Sequence, residues 1–547
     1  MAYNPPQVEV NQIQKTVSPT LIQPDLVPAV IGPAYHVEAL DSTKDSDYAV
    51  FDGSQTTYTL HGFEAGMALD STSVYVDLVM KATGTVTNPV GSRLIIASGL
   101  TIDANAGTVT VPANADWNGA SVFIGYRALR SDLMSVELYE SLQAVVDEMT
   151  DVSALNPLGF ALVETLNNGN AATYAYGTVV DDFASITCNV SGIATASASH
   201  TLAMTDLEAK EVYALAPLTY DTAIIANYKT HVNAMSLSTA KKERIVFGGP
   251  KIPWGASKAA TATAYSAMSA GVGAKRVIYV FPDVAFIREL RHISTLRPQY
   301  ISDLYTSGYS VTVNAYIDQL VTFSATNSQT AYRNYTVRPV AGLGVEITEA
   351  LWLALRAHAM ETGDVFFYAY VPVPISVIGV PAVAGMIAGN TPQQPMTNLS
   401  LANINSLKYS SDYFTEAQLN TIAQGGTYIL KQSKLTSPIV CRHQLSTDMS
   451  SIEKREVSIT KTVDYTAKFV RSAVEPFIGR YVINRATLDM ITIAIKGAGS
   501  LLIRDGILND FVVASVAQDT VSRDTVLVSI TILPPYPVNY IKIDLIF

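Results

Sequence analysis

The stretch that decides how this chain is organised is Tyr540-Ile541-Lys542-Ile543-Asp544-Leu545-Ile546-Phe547. Apolar residues alternate with polar ones here, which is typical of a β-strand with one buried face. The preceding Pro534-Pro535-Tyr536-Pro537 detaches this strand from the chain before it, because proline cannot donate to a strand ladder. The face predicted to be buried consists of Ile541, Ile543, Leu545 and Phe547.

The other end of the sequence has a similar pattern. Pro5-Pro6 leads into residues 7–13, where Val8 and Val10 lie on one side. Two strands isolated by proline either complete the chain's own sheet or pair with the sheet of another molecule. An unpaired apolar strand would be a site of aggregation, whereas strand donation between subunits makes use of such an edge. The sequence therefore favours assembly over catalysis as the main role.

The composition indicates extensive burial. Only 15% of the 547 residues are charged, against roughly 25% in ordinary soluble proteins. Apolar residues make up 48%, and the mean hydropathy is +0.22. A chain of this length is expected to hold about two to four domains. So few charges indicate either that surface is buried against partners or simply that the core is large.

The charge distribution argues against nucleic-acid binding and sets one region apart. The net charge of −11 lacks the basic face that nucleic-acid binders usually show. Residues 440–547 carry 12 basic and 11 acidic side chains, which leaves 24 basic and 36 acidic ones for the remainder. We therefore expect the last fifth of the chain to face a different environment from the rest.

Cysteine content and the first residues bear on the compartment. Cys188 and Cys441 are the only cysteines, too few for a disulfide framework, which favours folding in a reducing cytoplasm. Residues 1–6 lack both the basic region and the apolar run of a secretory signal.

An uncharged stretch at residues 365–407 could be mistaken for a membrane span. Pro372, Pro374 and Pro381 interrupt its most apolar part, and a polar segment follows. We interpret it as a buried strand, a turn and a buried helix, and expect no membrane insertion.

The pattern along the chain predicts an α/β (α+β) fold with several domains. The α/β units are layered, because strand and helix signals alternate from residue 205 to the C-terminal region. The predicted parts are an N-terminal strand arm (1–24), a middle α/β domain (25–49 and 131–390), an inserted peripheral all-β domain (50–130), a C-terminal inner domain (391–537) and a C-terminal strand arm (538–547).

Individual elements are predicted within these domains. The predicted helices cover residues 221–235, 257–269, 346–360, 464–473 and 485–504. The predicted strands cover residues 27–32, 56–60, 74–79, 94–96, 108–111, 122–124, 212–215, 244–247, 276–280, 365–371, 456–460, 511–514 and 526–530.

Motifs of enzymes and metal sites are almost absent. Gly271-Val272-Gly273 closes a predicted helix and precedes a strand, so it indicates a helix C-cap rather than a dinucleotide loop. Cys441-Arg442-His443 offers two types of metal ligand but has no matching second pair, which favours a structural role. No Walker A, HExxH or Gly-x-Ser-x-Gly sequence occurs. We therefore predict no catalytic, cofactor-binding or metal-binding residues, and no enzyme.

Several segments, taken in order, resemble contractile tail sheath proteins of bacteriophages, a family related to R-type pyocin and type VI secretion sheaths. The small-residue run Pro381-Ala382-Val383-Ala384-Gly385-Met386-Ile387-Ala388 is similar to a helix of that family. Further similar segments are residues 156–158, 211–218, 241–244, 414–426, 439–442, 456–460 and 534–541, together with the helices ending near residues 476 and 506. The region 50–130 has no counterpart in the shortest sheath proteins. The family varies most by insertions of this kind.

The resemblance implies a structural subunit that polymerises as stacked six-fold rings around a tail tube. In that family, terminal arms add strands to the sheets of neighbouring subunits, and contraction drives the tube through the bacterial envelope. The implied partners are neighbouring sheath subunits, the tail tube protein, and baseplate and tail terminator proteins. The implied location is the virion, with assembly in the host cytoplasm. No cofactor is implied, because the energy would be stored during assembly in bistable interfaces.

The tube contact is predicted on the helix at residues 485–504. One stripe of this helix would pack into its domain, which leaves Asp489, Lys496 and Arg504 facing the solvent or the tube. A contact that must release on contraction should be small and polar. The alternative is an ordinary solvated helix face.

Two other functions remain open from sequence. One is a cytoplasmic α/β enzyme that forms homo-oligomers through its terminal arms, which predicts a concave polar pocket with perturbed acids. The other is a secreted surface-layer or adhesin protein, which would need a signal peptide.

Overall fold

We analysed a computed structural model of the chain. It describes residues 26–38, 49–181 and 196–292 with short internal gaps, 336–337, and 366–545 with short internal gaps. The chain is an α/β protein and forms two compact units. The larger unit comprises Asp25–Thr460, and the described part of the smaller unit comprises residues 461–545.

The described residues form strands and helices throughout both units. The strands are β1 (Pro28–Gly32), β2 (Tyr35–Glu38), β3 (Ala49–Val50), β4 (Thr56–Thr59), β5 (Ala68–Leu69), β6 (Tyr75–Met80), β7 (Arg93–Ile96), β8 (Thr101–Asp103), β9 (Thr108–Val111), β10 (Ala120–Leu129), β11 (Glu137–Tyr139), β12 (Ala175–Val179), β13 (Ala214–Pro217), β14 (Ile245–Gly248), β15 (Val277–Phe281), β16 (Val284–His292), β17 (Thr336–Val337), β18 (Phe366–Pro374), β19 (Ser400–Leu401), β20 (Ser406–Leu407), β21 (Thr427–Gln432), β22 (Ile439–His443), β23 (Asp510–Gln518) and β24 (Val526–Leu533). The helices are α1 (Leu142–Met149), α2 (Pro157–Asn168), α3 (Ala196–Glu208), α4 (Thr222–Met235), α5 (Lys258–Val272), α6 (Ile375–Gly389), α7 (Glu416–Gln424), α8 (Ile452–Arg455), α9 (Val457–Val474) and α10 (Arg485–Arg504).

A nine-stranded sheet organises the larger unit, in the order β11-β12-β1-β13-β14-β15-β21-β22-β19. The six strands from β12 to β21 in this order are parallel to their neighbours, with Val30 of β1 opposite Gly177 of β12 and Ala216 of β13. Strands β1, β13, β14 and β15 are buried along their whole length, as expected for parallel strands covered on both faces.

Helices cover this sheet on both faces. Ala29 and Ile31 of β1 share a hydrophobic core with residues of α3 and α4. Val30, which lies between them and points the other way, is equally buried, and helices α2 and α6 also contact β1. The larger unit is therefore a layered α/β structure.

The β-rich region is an insertion with its own core, and it is longer than predicted. Strand β2 pairs with β10, so the insertion begins at Tyr35 rather than at residue 50. The predicted short strand at 122–124 is the centre of the ten-residue β10, which also pairs with β3, β5 and β6. A separate three-stranded sheet, β4-β9-β8, packs into the same core. The Arg130 amide donates to the Ala34 carbonyl at 2.8 Å, so the insertion leaves and rejoins the larger unit at one place.

The predicted boundary at residue 391 does not separate the compact units. Strands β19, β21 and β22 complete the nine-stranded sheet, because Tyr279 of β15 pairs in parallel with Thr427 of β21. The units divide between Thr460 and Lys461.

The predicted strand at 456–460 is wrong, because Val457 begins the helix α9. The alternation of Val457 and Ile459 with polar residues gave the period of a strand. However, Ser458 and Thr460 are also buried, so the polar positions do not mark a solvent face. The Gln444 amide holds the Ser458 hydroxyl at 2.7 Å and helps to satisfy these buried polar groups.

Other predicted boundaries agree closely with the structure. Asp221 and Ser257 are the N-caps of α4 and α5, and Gly273 ends α5 in the left-handed conformation with φ 53°. The predicted turn after the strand at 365–371 is absent, because β18 leads directly into α6 through Pro374. The predicted helix at 346–360 and the arm at 1–24 lie outside the described residues.

In the smaller unit, which also contains most of α9, helix α10 packs on a hairpin. Strands β23 and β24 pair antiparallel, with a bulge between Val513 and Ser515. Helix α10 contacts β23, and any Cβ at Gly499 would collide with the Phe511 ring, so this glycine allows the close approach. The buried stripe of α10 consists of Thr487, Ile491, Ile495, Ala498, Gly499 and Leu502, which agrees with the predicted amphipathic helix.

Candidate assembly surface

The C-terminal segment is extended and exposed. After Pro534-Pro535-Tyr536-Pro537, residues 538–545 form no ladder with any described strand. Ile541, Ile543 and Leu545, predicted to share a buried face, are 78%, 76% and 84% exposed. Fully burying side chains of this size is worth roughly 1.5–3 kcal/mol each. The segment thus carries apolar area that the described chain leaves uncovered.

Three residues predicted for the strand arms cannot be placed. Val8, Val10 and Phe547 lie outside the described residues. The prediction that they pair with neighbouring subunits therefore stays a prediction.

The same unit contains an open sheet. Among the described strands, β23 and β24 pair only with each other, so each has an outer edge without a ladder partner. Helix α10 covers one face of this hairpin through Phe511. An extended segment added at either edge would continue the sheet and place alternate side chains against the helix side. An exposed apolar segment and a hairpin whose outer edges pair with no described strand therefore belong to the same unit.

The charged residues predicted for the tube contact lie on the exposed side of α10. Asp489, Lys496 and Arg504 are separated by seven and eight residues, so they share one helix face. The Arg504 side chain is 70% exposed and binds the Asp505 carboxylate at 2.9 Å. The predicted tube contact required a polar face. This face is not purely polar, because Ile493 on the same side is 69% exposed.

Helix α10 is also the one described helix that is long and apolar enough to cross a membrane. Length and composition alone are weak evidence, because a core helix passes the same criteria. One third of its apolar window is buried in the protein.

Cys441-Arg442-His443 lies on β22 and connects neighbouring elements. Burial raises the pKa of the Cys441 thiol to about 12. Arg442 binds the Glu416 carboxylate of α7 at 3.1 Å, and His443 Nε2 lies 2.8 Å from the Glu456 carboxylate before α9. The described residues contain no group of three His, Cys, Asp or Glu side chains that could hold a metal ion.

The sheet order bears on the enzyme alternative. In open α/β sheets, ligands bind at the carboxyl ends of the strands where the strand order reverses. Here this place lies between β1 and β13, since β12 and β13 flank β1. The Leu218 side chain fills the space where a Cβ of Gly32 would lie, and the Leu158 amide donates to the Pro33 carbonyl. This crevice is occupied by the protein itself.

One buried acid was missed by the sequence reasoning. Glu164 of α2 is 2% exposed, and burial raises its pKa to about 8. Its Oε1 accepts a hydrogen bond from Asn403 Nδ2 at 3.3 Å, while none of the described residues forms a hydrogen bond with Oε2. The available signal was that Glu164 is the only charged residue in the α2 sequence PLGFALVETLNN. Its hydrogen bond to the turn at Asn403 indicates a role in packing.

No family model and no curated protein match this chain. Several solved structures of contractile systems are similar to it. The helical sheath of the anti-feeding prophage in its contracted state has a TM-score of 0.47 and 11% identity, and the match covers 76% of this chain and 88% of that one. The contracted sheath complex of the extracellular contractile injection system PVC has a TM-score of 0.45 and 10% identity, and the match covers 75% and 86% of the two chains.

A sheath tail protein from Desulfitobacterium hafniense has a TM-score of 0.39 and 9% identity, and that match covers 98% of this chain and 100% of the other. All three are structures of sheaths or sheath proteins.

Proposed function

We propose that this protein is a structural subunit of a contractile tail sheath. It polymerises as stacked rings around a tail tube, and contraction of the polymer drives the tube through a bacterial envelope. The observation that carries the proposal is the exposed alternating segment at 538–545 in the same unit as the open β23–β24 hairpin. An exposed extended segment and a hairpin edge that form no ladder with any described strand are suited to pair between chains.

The proline-rich connection before the C-terminal segment supports this role. The connection from β24 through Pro534-Pro535-Tyr536-Pro537 offers few backbone donors that could hold the segment to its own unit. A strand in a neighbour's sheet would gain backbone hydrogen bonds and bury Ile541, Ile543 and Leu545. Such tethers can persist while other interfaces repack, which a contracting lattice requires.

The remaining partners of the proposed sheath are the tube, the baseplate and the tail terminator, in a virion assembled in the host cytoplasm. We place the tube contact on the exposed face of α10 that carries Asp489, Lys496 and Arg504. Reversing Lys496 and Arg504 to glutamate should weaken assembly around tubes and spare tube-free polymers. Unchanged co-assembly with tubes at raised salt would exclude this face.

Deletion of residues 538–547 tests the proposal. We expect a folded, soluble protein that no longer polymerises, since the donated strand is lost. Negative-stain microscopy distinguishes the alternatives for the intact chain, because sheaths give tubes, an enzyme oligomer gives compact particles and a surface layer gives sheets. Tubes of normal length from the truncated chain would refute the donor-strand role.

A single substitution gives a finer test with a matched control. Ile543→Asp places a carboxylate on the face that enters the acceptor sheet, which should cost several kcal/mol and mimic the deletion. Lys542→Asp places the same carboxylate one residue away on the opposite face. We expect this control to polymerise, and equal loss in both variants would contradict the predicted face.

A further inference from the structure

Two exposed apolar patches of this chain have opposite charge. The first, which we call the acidic patch, is formed by strand β11 and helix α1, which contact each other. Leu138, Leu142 and Val146 are 40%, 42% and 39% exposed, and the last two lie four residues apart on one helix face. Val145 and Met149 on the adjoining part of the same helix side are buried, so Leu142 and Val146 lie at the exposed border of the packed side of α1.

Carboxylates surround this patch. They belong to Glu137, Glu140, Asp147 and Glu148, and all four residues are exposed. Within the part of the chain that the structure describes, none of these four carboxylates has an ion pair. Among the described residues of the larger unit, the other exposed large apolar side chains are scattered, with Val50 in β3, Leu202 in α3 and Leu237 in the loop after α4.

The second patch, the basic loop, precedes α10 in the smaller unit. Ile478, Tyr481 and Val482 are 73%, 53% and 75% exposed. Arg480 and Arg485 add two positive charges against one exposed carboxylate, that of Glu475, and no described acid forms an ion pair with either arginine.

This loop is held in one conformation. The Tyr481 ring lies 5.6 Å from the Phe477 ring, and the Thr487 hydroxyl donates to the Val482 carbonyl at 2.8 Å. Gly479 turns the chain with φ 74°, a value that glycine adopts without strain. Apolar side chains on an already ordered loop lose little entropy on binding, which favours a docking role.

We propose that the basic loop of one copy of this chain docks on the acidic patch of a second copy. Each patch offers three large apolar side chains, and the charges around them are opposite, so the two surfaces complement each other in both respects. A contact between two different patches is heterologous, and such contacts build rings or helical polymers rather than closed dimers. The inference rests on the proposed function only in requiring that copies of the chain associate.

Disulfide trapping tests the contact directly. One chain carries Leu142→Cys and another carries Val482→Cys, both in a Cys188→Ser background that keeps the buried Cys441. Because each chain has one engineered thiol, a 142–482 disulfide formed after mixing and oxidation must join two copies. We expect this product as a main band, and Leu237→Cys, also exposed in the larger unit, should not replace Leu142→Cys.

Charge reversal tests the proposed chemistry. Arg480→Glu with Arg485→Glu should reduce the rate of 142–482 trapping about tenfold, and Glu137→Lys with Glu140→Lys and Asp147→Lys should do the same. Mixing the two reversed chains should restore trapping, because each loop again meets a patch of opposite charge. Restoration excludes misfolding as the cause of the loss.

The outcomes separate this inference from the proposed function. If the wild-type chain forms tubes but no 142–482 product appears, the docking inference is wrong and the sheath proposal stands. A 142–482 product without tubes supports the docking contact and counts against the sheath. Trapping that is insensitive to both sets of reversals, or a product formed equally well by Leu237→Cys, would overturn the inference.

Discussion

At the scale of single residues, burial governs the chemistry of Glu164. The carboxyl lies between α2 and the turn at Asn403, and no charged group contributes to its shifted pKa, which is about 8. Two hydrogen bonds hold this turn to α2. The side-chain amide of Asn403 donates to Glu164, and the backbone amide of Ala402 donates to the side chain of Asn168 at 2.7 Å. In the folded chain the carboxyl therefore holds its proton at a pH where an exposed glutamate is ionised.

This pKa predicts a loss of stability at high pH. The folded value of about 8 lies above the ordinary value of 4.5, so the folded state binds the proton more tightly. The free energy of unfolding should thus fall as pH rises from 4.5 to about 8, by at most about 5 kcal/mol. Glu164→Gln should flatten this dependence in urea-unfolding midpoints measured at pH 5, 7 and 9. The exposed Glu140→Gln serves as the control, and an unchanged slope in Glu164→Gln would contradict the assignment.

The exposure and pKa of single residues were the hardest properties to predict from sequence. The apolar alternation of residues 541–545 was evident, but their exposure depends on what the rest of the chain covers. Glu164 has no motif around it, and its unusual pKa arises from burial by segments distant in sequence, including Asn403. Local pattern carries no information about such contacts.

At the scale of elements, a small-residue stretch explains how two helices approach. Gly385 of α6 lies against the Thr165 carbonyl of α2, where any Cβ would collide with backbone. The Thr165 hydroxyl donates to the Ala161 carbonyl at 2.8 Å and lies 3.3 Å from the Pro381 carbonyl. The run at 381–388, which resembles a sheath helix, is therefore a packing surface.

Gly385→Ala should destabilise the larger unit. The added methyl group meets rigid backbone, so the helices must separate, which costs about 1–3 kcal/mol and exceeds the gain of up to about 1 kcal/mol in helix propensity. Gly497→Ala on α10 is the matched control, because a Cβ there meets nothing within 4 Å. Calorimetry should show a lower melting temperature for the first variant and an equal or higher one for the second. Equal effects would show that α2 and α6 adjust freely.

The type of an element was predictable where a capping residue and the hydrophobic period indicated the same helix. Helix α4 begins after Asp221 and α10 covers residues 485–504 as predicted, because a capping residue opens each amphipathic run. Helix α6 is buried on all sides and shows no helical period, so its limits needed the structure. At 457–460 the period failed for the same reason, since polar side chains there are buried too.

At the scale of the whole molecule, sequence predicted the α/β class but misplaced how the chain divides. The nine-stranded sheet takes strands from both sides of residue 391, and such long-range pairing leaves no mark in local composition. The inserted domain was predicted because the turns and short strands of residues 50–130 contrast with the alternating pattern that follows. Its start at Tyr35 was missed, since β2 is a short strand that pairs with the distant β10.

The insertion should be removable. Tyr35 and Leu129 lie opposite each other in the β2–β10 ladder, and the Ala34 carbonyl accepts from the Arg130 amide just beyond them. Two glycines joining Tyr35 to Leu129 would therefore close a short hairpin without moving either end. The cluster around Phe51, Val76 and Val122 is a separate core, so its loss should leave the nine-stranded sheet intact.

We expect the chain lacking residues 36–128 to fold and to polymerise, because neither the hairpin β23–β24 nor the C-terminal segment is touched. A matched control replaces only the hairpin-like turn at 104–106 with two glycines, which should leave the insertion folded. Circular dichroism reports folding, and negative-stain microscopy reports polymers. Collapse of the excised chain would show that β2 and β10 support the larger unit. A folded chain without polymers would instead place an assembly contact on the insertion.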